Sequence, residues 1–141
     1  MCGSAASEVS AIVAGLARAL DADDFPAARA FLTEDCVYET GHETLRGPAA
    51  ILASYAAASA WARRAFDEVR YASEVGSASG ATAAVTFTDY LLKAGGRWYR
   101  HRCRQEFTVG AGGRIVRIVH QELSGEREAL DAYFMECGIE R

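Results

Sequence analysis

The stretch LDADDFPAARAFLTEDCVYETGHETLRGPAAILASY, Leu20 to Tyr55, decides the fold. An acidic break at Asp21, Asp23 and Asp24 ends one helix, a short second helix follows, and a strand begins at Cys36. The strand runs into a loop carrying Gly41 and Gly47, and Pro48 opens a long helix. Proline is tolerated there because the first N–H groups of a helix have no intrahelical partner. Upstream, Val9, Ile12, Val13, Leu16 and Leu20 recur at helical spacing and predict an amphipathic helix over roughly residues 5 to 21. Downstream, Ile51, Ser54, Tyr55, Ala58, Trp61, Ala62 and Ala65 share one face of the long helix, whose alanines let it lie close on a sheet.

From about Asp67 the period changes from helical to alternating. Val69 and Tyr71 alternate with Glu68 and Arg70, and Val85 and Phe87 with Thr86 and Thr88. Gly95-Gly96 and the run Gly110 to Gly113 separate extended segments and read as hairpin turns. The second run is not a phosphate loop, because a strand over Arg114 to Val119 follows it instead of Lys-Ser/Thr and a helix. Leu130, Tyr133, Phe134 and Cys137 then restart helical spacing, closed by Gly138. That helix seals one end of the sheet, lids a pocket or crosses to a second subunit.

Strand parity selects the candidate site, since successive residues face opposite sides. Between Arg100 and Phe107 the inner set is His101, Cys103, Gln105 and Phe107. Val85, Phe87, Asp89 and Leu91 form a second inner set, and Val116, Ile118, His120 and Glu122 a third. A three-residue turn over Ala94-Gly95-Gly96 sets Asp89 opposite His101, whereas a two-residue turn sets it opposite Arg102. Tyr38 and Thr40 share a parity on the first strand, and Tyr38 is either a hydroxyl donor to a ligand carbonyl or an edge-on core ring. His42 belongs to the glycine-flanked loop and reads as solvated.

Buried ionisable groups are costly unless paired, so polar residues converging from four segments point to a cavity with chemistry. Asp89 and His101 are the expected acid/base pair, Asp89 orienting the imidazole and His101 moving the proton. His120 beside Glu122 is the second choice. Expected ligand contacts are Tyr38, Thr40, Ser54, Tyr55, Trp61, Phe87, Gln105, Phe107 and Glu122. The bland alternative is a core histidine satisfied by a carbonyl, with Asp89 merely holding it.

Phe31-Leu32-Thr33-Glu34-Asp35-Cys36-Val37-Tyr38 and Gly47-Pro48-Ala49-Ala50-Ile51, with the element order from about Val9 to Phe134, resemble the SnoaL-like and ketosteroid-isomerase-like branch of the NTF2-like (cystatin-like) superfamily. The resemblance implies a single α+β domain over residues 1–141. It would be a cone, with a strongly curved, mostly antiparallel sheet wrapped around N-terminal helices and a C-terminal helix. It also implies a pocket for a small hydrophobic or aromatic ligand, no metal, no organic cofactor, and a homodimer paired through the outer sheet face. On this chain that face carries Arg100, Arg102, Arg104, Arg117 and Val119. The three groups of the steroid isomerases fall by position on Thr40, Leu16 and Gln105, none of which has the needed chemistry, so steroid isomerisation is rejected. What remains is a cyclase, isomerase or dehydratase on a ring-containing substrate, or a non-catalytic dimeric binding or interaction module.

Composition agrees with one ordinary domain: 141 residues, half of them apolar or aromatic, and a net charge of −4. The charge argues against nucleic acid, and the lack of a long apolar run or a basic leader argues against membrane and secretion, leaving a cytoplasmic expectation. Cys2, Cys36, Cys103 and Cys137 are widely spaced and expected to be free thiols.

Overall fold

The computed structural model describes residues 2–140, with side chains from residue 5 onward. In chain order the elements are α1 (Cys2–Asp21), α2 (Phe25–Arg29), β1 (Leu32–Glu39), β2 (Thr44–Arg46), α3 (Pro48–Ala65), β3 (Glu68–Val75), β4 (Thr82–Leu92), β5 (Trp98–Val109), β6 (Ile115–Glu122) and α4 (Glu126–Cys137). The strands form one curved, unclosed sheet in the order β2-β1-β6-β5-β4-β3. Every pairing is antiparallel except β1 with β6, so the chain is the α+β cone expected.

Two apolar clusters sit inside the sheet. Val13, Leu16, Ala17 and Leu20 of α1 pack with Ile51 and Leu52 of α3 against Cys36, Val85, Phe107, Ile115 and Ile118. Fully burying each Leu or Ile contributes about 1.5–3 kcal/mol. The second cluster joins Leu130, Tyr133 and Phe134 of α4 to Phe66, Val69 and Leu91. Tyr99 stacks on Tyr133 at 4.5 Å and Trp61 meets Phe134 edge-on at 5.5 Å. The Tyr133 hydroxyl donates to the Arg97 carbonyl at 3.1 Å, so α4 also holds the β4–β5 turn. The helix thus seals one end of the sheet, and its first turn covers a small pocket.

Three boundaries differ from the sequence reading. β1 starts at Leu32 instead of Cys36, because Leu32 pairs with Ile115 and the Ile115 N–H donates to the Phe31 carbonyl at 2.7 Å. The polar Thr33-Glu34-Asp35 run hides this pairing locally. β2 lies within the stretch that the sequence marks as loop; its three residues gain strand geometry by lying beside β1. In β6, Thr108 faces Arg117 and Val109 faces Ile115, leaving Val116 as an extra, bulged residue. Ile115, not Val116, therefore joins Ile118 in the core, both with 0 % exposure.

Gly47 ties β1 to α3: its N–H donates to the Cys36 carbonyl at 2.8 Å and its own carbonyl accepts from Ile51 at 3.1 Å. It does so at φ 85°, ψ 154°, a region nearly closed to residues with a Cβ. Gly47→Ala is therefore expected to lower unfolding free energy by about 1–3 kcal/mol in urea titrations; an unchanged midpoint would mean that the junction relaxes freely.

Candidate functional site

A cavity of about 260 Å³ lies at the seam of the two clusters. The C-terminal end of α1 and the turn after it supply Leu20, Asp21 and Asp23, and α2 supplies Phe25. Ser54, Tyr55, Ala58, Ser59 and Ala62 come from one face of α3. The sheet completes the wall with Tyr38, Tyr71, Phe87, Asp89, Cys103, Gln105 and His120.

Its polar groups form two stations. At the first, Gln105 is 4 % exposed and sits at the centre of a network. The Tyr55 hydroxyl donates to Gln105 Oε1 at 2.6 Å, Gln105 Nε2 donates to the Tyr38 oxygen at 2.8 Å, and Nε2 lies 3.2 Å from His120 Nδ1. The Tyr38 and Tyr55 rings stack at 5.3 Å. Burial pushes the Tyr38 hydroxyl up to about 12 and holds His120 below the usual imidazole range. Both groups are neutral at pH 7.

The second station is acidic. Asp89 stands on β4, its carboxyl pushed up to about 6 by burial and then by the charge of Asp21. Asp21 is itself raised, by burial, while accepting the Ser73 hydroxyl at 2.5 Å. Asp23 accepts Ser59 Oγ at 2.9 Å and Arg63 Nε at 3.0 Å, and Ser59 Oγ lies 3.0 Å from the Tyr71 hydroxyl. Asp23 holds a left-handed backbone, φ 54°, which Asp tolerates better than most residues and which aims its carboxylate at α3. Asp24 turns away and caps α2 through the Ala27 N–H at 3.2 Å.

The structure thus gathers Tyr38, Ser54, Tyr55, Phe87, Asp89, Gln105 and His120 around one space. It places the other sequence candidates elsewhere. His101 does face Asp89 across the β4–β5 ladder, as the longer turn requires. Its ring, however, lines an adjoining pocket of about 90 Å³ under α4, which shares Cys103 and His120 with the first, and its Nδ1 lies 3.6 Å from Glu126 Oε2. Glu122 borders that smaller pocket and pairs with Arg127 at 3.2 Å. Thr40 closes its own turn, its hydroxyl oxygen accepting from the His42 and Glu43 N–H groups. Phe107 is core at 0 % exposure, and Trp61 packs against the second cluster.

Asp21, Asp23, Ser59 and Tyr71 are lining residues that the sequence does not single out, and Cys103, inward by parity, joins them. One signal was available: carboxylates in and after the last turn of a helix oppose its macrodipole, so Asp21 and Asp23 are poor choices for a mere helix stop. Cys103 is raised to about 12 by burial, a thiol rather than a nucleophile. Cys36, Cys103 and Cys137 are free, while the Cys2 thiol lies outside the described side chains. Among the described residues no three His, Cys, Asp or Glu side chains form a metal-binding group, and no helix is long and apolar enough to cross a membrane.

Helices enclosed by a curved, open sheet, with a cavity between them, define the NTF2-like cone. Residues 13–118 match the model of the SnoaL-like domain family, and the chain belongs to that family. No curated protein matches it by sequence. Among solved structures it is similar to a candidate polyketide cyclase of Xanthomonas campestris pv. campestris, at 20% identity and TM-score 0.64 over 89% of this chain and 97% of that one. An M. tuberculosis LEH-like epoxide hydrolase matches at 24% identity and TM-score 0.58, covering 93% and 98%. SalBIII, described as an epoxide hydrolase/cyclase-like enzyme in pyran ring formation of the polyether salinomycin, matches at 19% and 0.65, covering 85% and 94%. At these identities the likeness is one of fold.

The acidic station carries a stability signature. Folded Asp89 holds its proton up to about pH 6 while the unfolded chain releases it near 3.8, so stability falls as pH rises between these values and stays lower above them. The full difference is up to about 3 kcal/mol. Asp89→Asn is expected to unfold at higher urea than the parent at about pH 8 and at nearly the same urea at about pH 4. Equal midpoints at both would show that the cavity does not strain this carboxylate.

Proposed function

We propose that the cavity is the active site of an acid/base enzyme acting on a compact, ring-containing carbonyl compound, of the cyclase, isomerase or dehydratase type. Asp89 carries the reading: a carboxylate in a cavity wall, without an ion pair among the described residues and raised to about 6 by burial, is poised to take and return protons near neutral pH. It replaces the Asp89–His101 pair, since the imidazole serves the smaller pocket. Asp89 removes a proton from a carbon beside a carbonyl, and the C–H electron pair moves onto the carbonyl oxygen as an enolate. The enolate then attacks a second carbonyl within the molecule, closing a ring as the protonated Asp89 gives its proton to the new alkoxide, or it expels a β-hydroxyl that takes the same proton and leaves as water. The protons move to and from Asp89 and no electrons are gained or lost overall, so the reading needs no metal and no organic cofactor. The size of the cavity, below the ~300–1,000 Å³ of drug-sized sites, suits one ring. The cyclase descriptions of two structural neighbours point the same way.

The step common to all these reactions is proton exchange at carbon. Acetophenone or cyclohexanone in heavy water should gain deuterium beside the carbonyl faster with the protein than in buffer, with a rate rising through about pH 6. Asp89→Asn should slow this by roughly 10²–10⁴-fold by NMR. Exchange at the buffer rate, or equal exchange in the variant, removes the enzymatic reading and leaves a binding module.

In the same reading the protein pairs with a second copy through the outer sheet face, where Arg100, Arg102 and Arg104 are exposed beside half-buried Val119. Light scattering should report a dimer, its interface burying roughly 1,200–2,000 Å² in total. Arg100→Glu should weaken it, and a monomer at micromolar concentration would exclude it.

A further inference from the structure

The protons of the Gln105 network can be counted one by one. A side-chain amide nitrogen carries two protons and accepts none, while its oxygen only accepts. Gln105 Oε1 takes the Tyr55 proton at 2.6 Å, so one Nε2 proton goes to the Tyr38 oxygen at 2.8 Å and the other to His120 Nδ1 at 3.2 Å. A ring nitrogen that receives such a proton has none of its own. His120 is therefore bare at Nδ1 and, as a neutral imidazole, carries its proton on Nε2. The Tyr38 oxygen likewise accepts from Gln105, and its own O–H has two places to go, the neighbouring Tyr55 oxygen or an acceptor bound in the cavity. Gln105 itself, expected from the sequence as a ligand contact, has no proton left for a ligand.

Tyr38 and His120 come from neighbouring strands. Tyr38 pairs with Ile118 across β1 and β6, and His120 is one same-face step beyond Ile118. Both side chains line the cavity. The charges near the ring, Glu122 on its own strand and His42 in the loop after β1, act in opposite senses.

We propose that the Gln105 end of the cavity is a seat for a proton-free acceptor oxygen, a ketone oxygen or the enolate oxygen formed from it, held by the Tyr38 O–H and the His120 Nε2–H. Gln105 is the positioning residue that sets both donors. The seat deepens the enolate reading above and rests on it for its part in a reaction, but not for binding. A hydroxyl or ammonium group placed there brings protons to a site that offers only protons. The seat therefore prefers acetophenone over 1-phenylethanol, the same skeleton with the ketone reduced.

NMR of protein with isotope-labelled histidine tests this without any turnover, with His120 assigned by means of His42→Gln and His101→Gln variants. At neutral pH, His120 should show a bare Nδ1 and a protonated Nε2, and acetophenone should move the Nε2 resonance. Gln105→Glu puts an acceptor where the amide nitrogen was, so Nδ1 should become protonated and the His120 titration should move to higher pH. Acetophenone affinity should fall by about five- to tenfold in that variant, and also in Tyr38→Phe, which removes one donor and leaves Gln105 in place. A parent protein with the proton on Nδ1 would overturn the seat, because the amide would then be turned and both donors committed to its oxygen. Acetophenone that does not bind at its solubility limit, that leaves Nε2 unmoved, or that binds both variants as well as the parent would overturn it too. Deuterium exchange reports on Asp89 separately: the seat with no exchange removes only the base, and exchange with the wrong tautomer removes only the seat.

Discussion

The inner wall of the protein depends on the register of the β4–β5 ladder, which pairs all of β4 from Thr82 opposite Thr108 to Leu92 opposite Trp98. Side chains alternate across a strand, so a slip of β5 by one residue would send Gln105 and Cys103 to solvent and bring Arg102, Arg104 and Glu106 inside. Burying those charges without partners is prohibitive, and the ladder is thereby strongly specified. β6 inherits the register through Gln105 opposite His120, and β3 through Tyr71 opposite Asp89. Both polar stations of the cavity are consequences of this one alignment.

The cavity exists because two apolar clusters serve different partners. One is made by α1 and α3 against the middle of the sheet, the other by α4 against its far end. Where they meet, the chain places hydroxyls, an amide and carboxylates instead of more Leu and Ile. Such groups lower stability relative to a filled core, a pattern typical of sites kept for function. At the neutral station Tyr55, Gln105, Tyr38 and His120 bond to one another through the Gln105 amide. The acidic station is satisfied unevenly: Asp23 has Arg63 and Ser59, Asp21 has Ser73, and Asp89 has burial without a cation. That unevenness distinguishes Asp89 chemically.

His101 illustrates how far a correct register can take a site prediction. It stands opposite Asp89 as the turn arithmetic requires, on the same face. Yet β6 pairs with β5 only as far as Cys103 opposite Glu122, so beyond that point β5 lies beside the start of α4. There Glu126 accepts from the Arg102 N–H at 3.3 Å and from its guanidinium at 3.2 Å, and it faces the His101 ring as well. A shared face is a local property of the strand; the cavity a side chain joins depends on what packs over it.

Periodicity alone located α1, α3, α4 and the β4–β5 hairpin, because an apolar stripe at helical spacing or an alternating run is a local consequence of having one face to bury. The inward placement of Tyr38, Phe87, Asp89, Gln105 and His120 was legible for the same reason. The start of β1, the short β2 and the bulge at Val116 were not, since each depends on pairing with a strand distant in sequence. Nor could the chain order of its residues show that Asp21 and Asp23 meet Ser59, Tyr71 and Asp89, or that one amide decides where His120 carries its proton. Local residue type and spacing determined which groups face inward; only the closing of the sheet over its helices decided which of them share a cavity, because that contact joins segments whose separation along the chain no periodicity encodes.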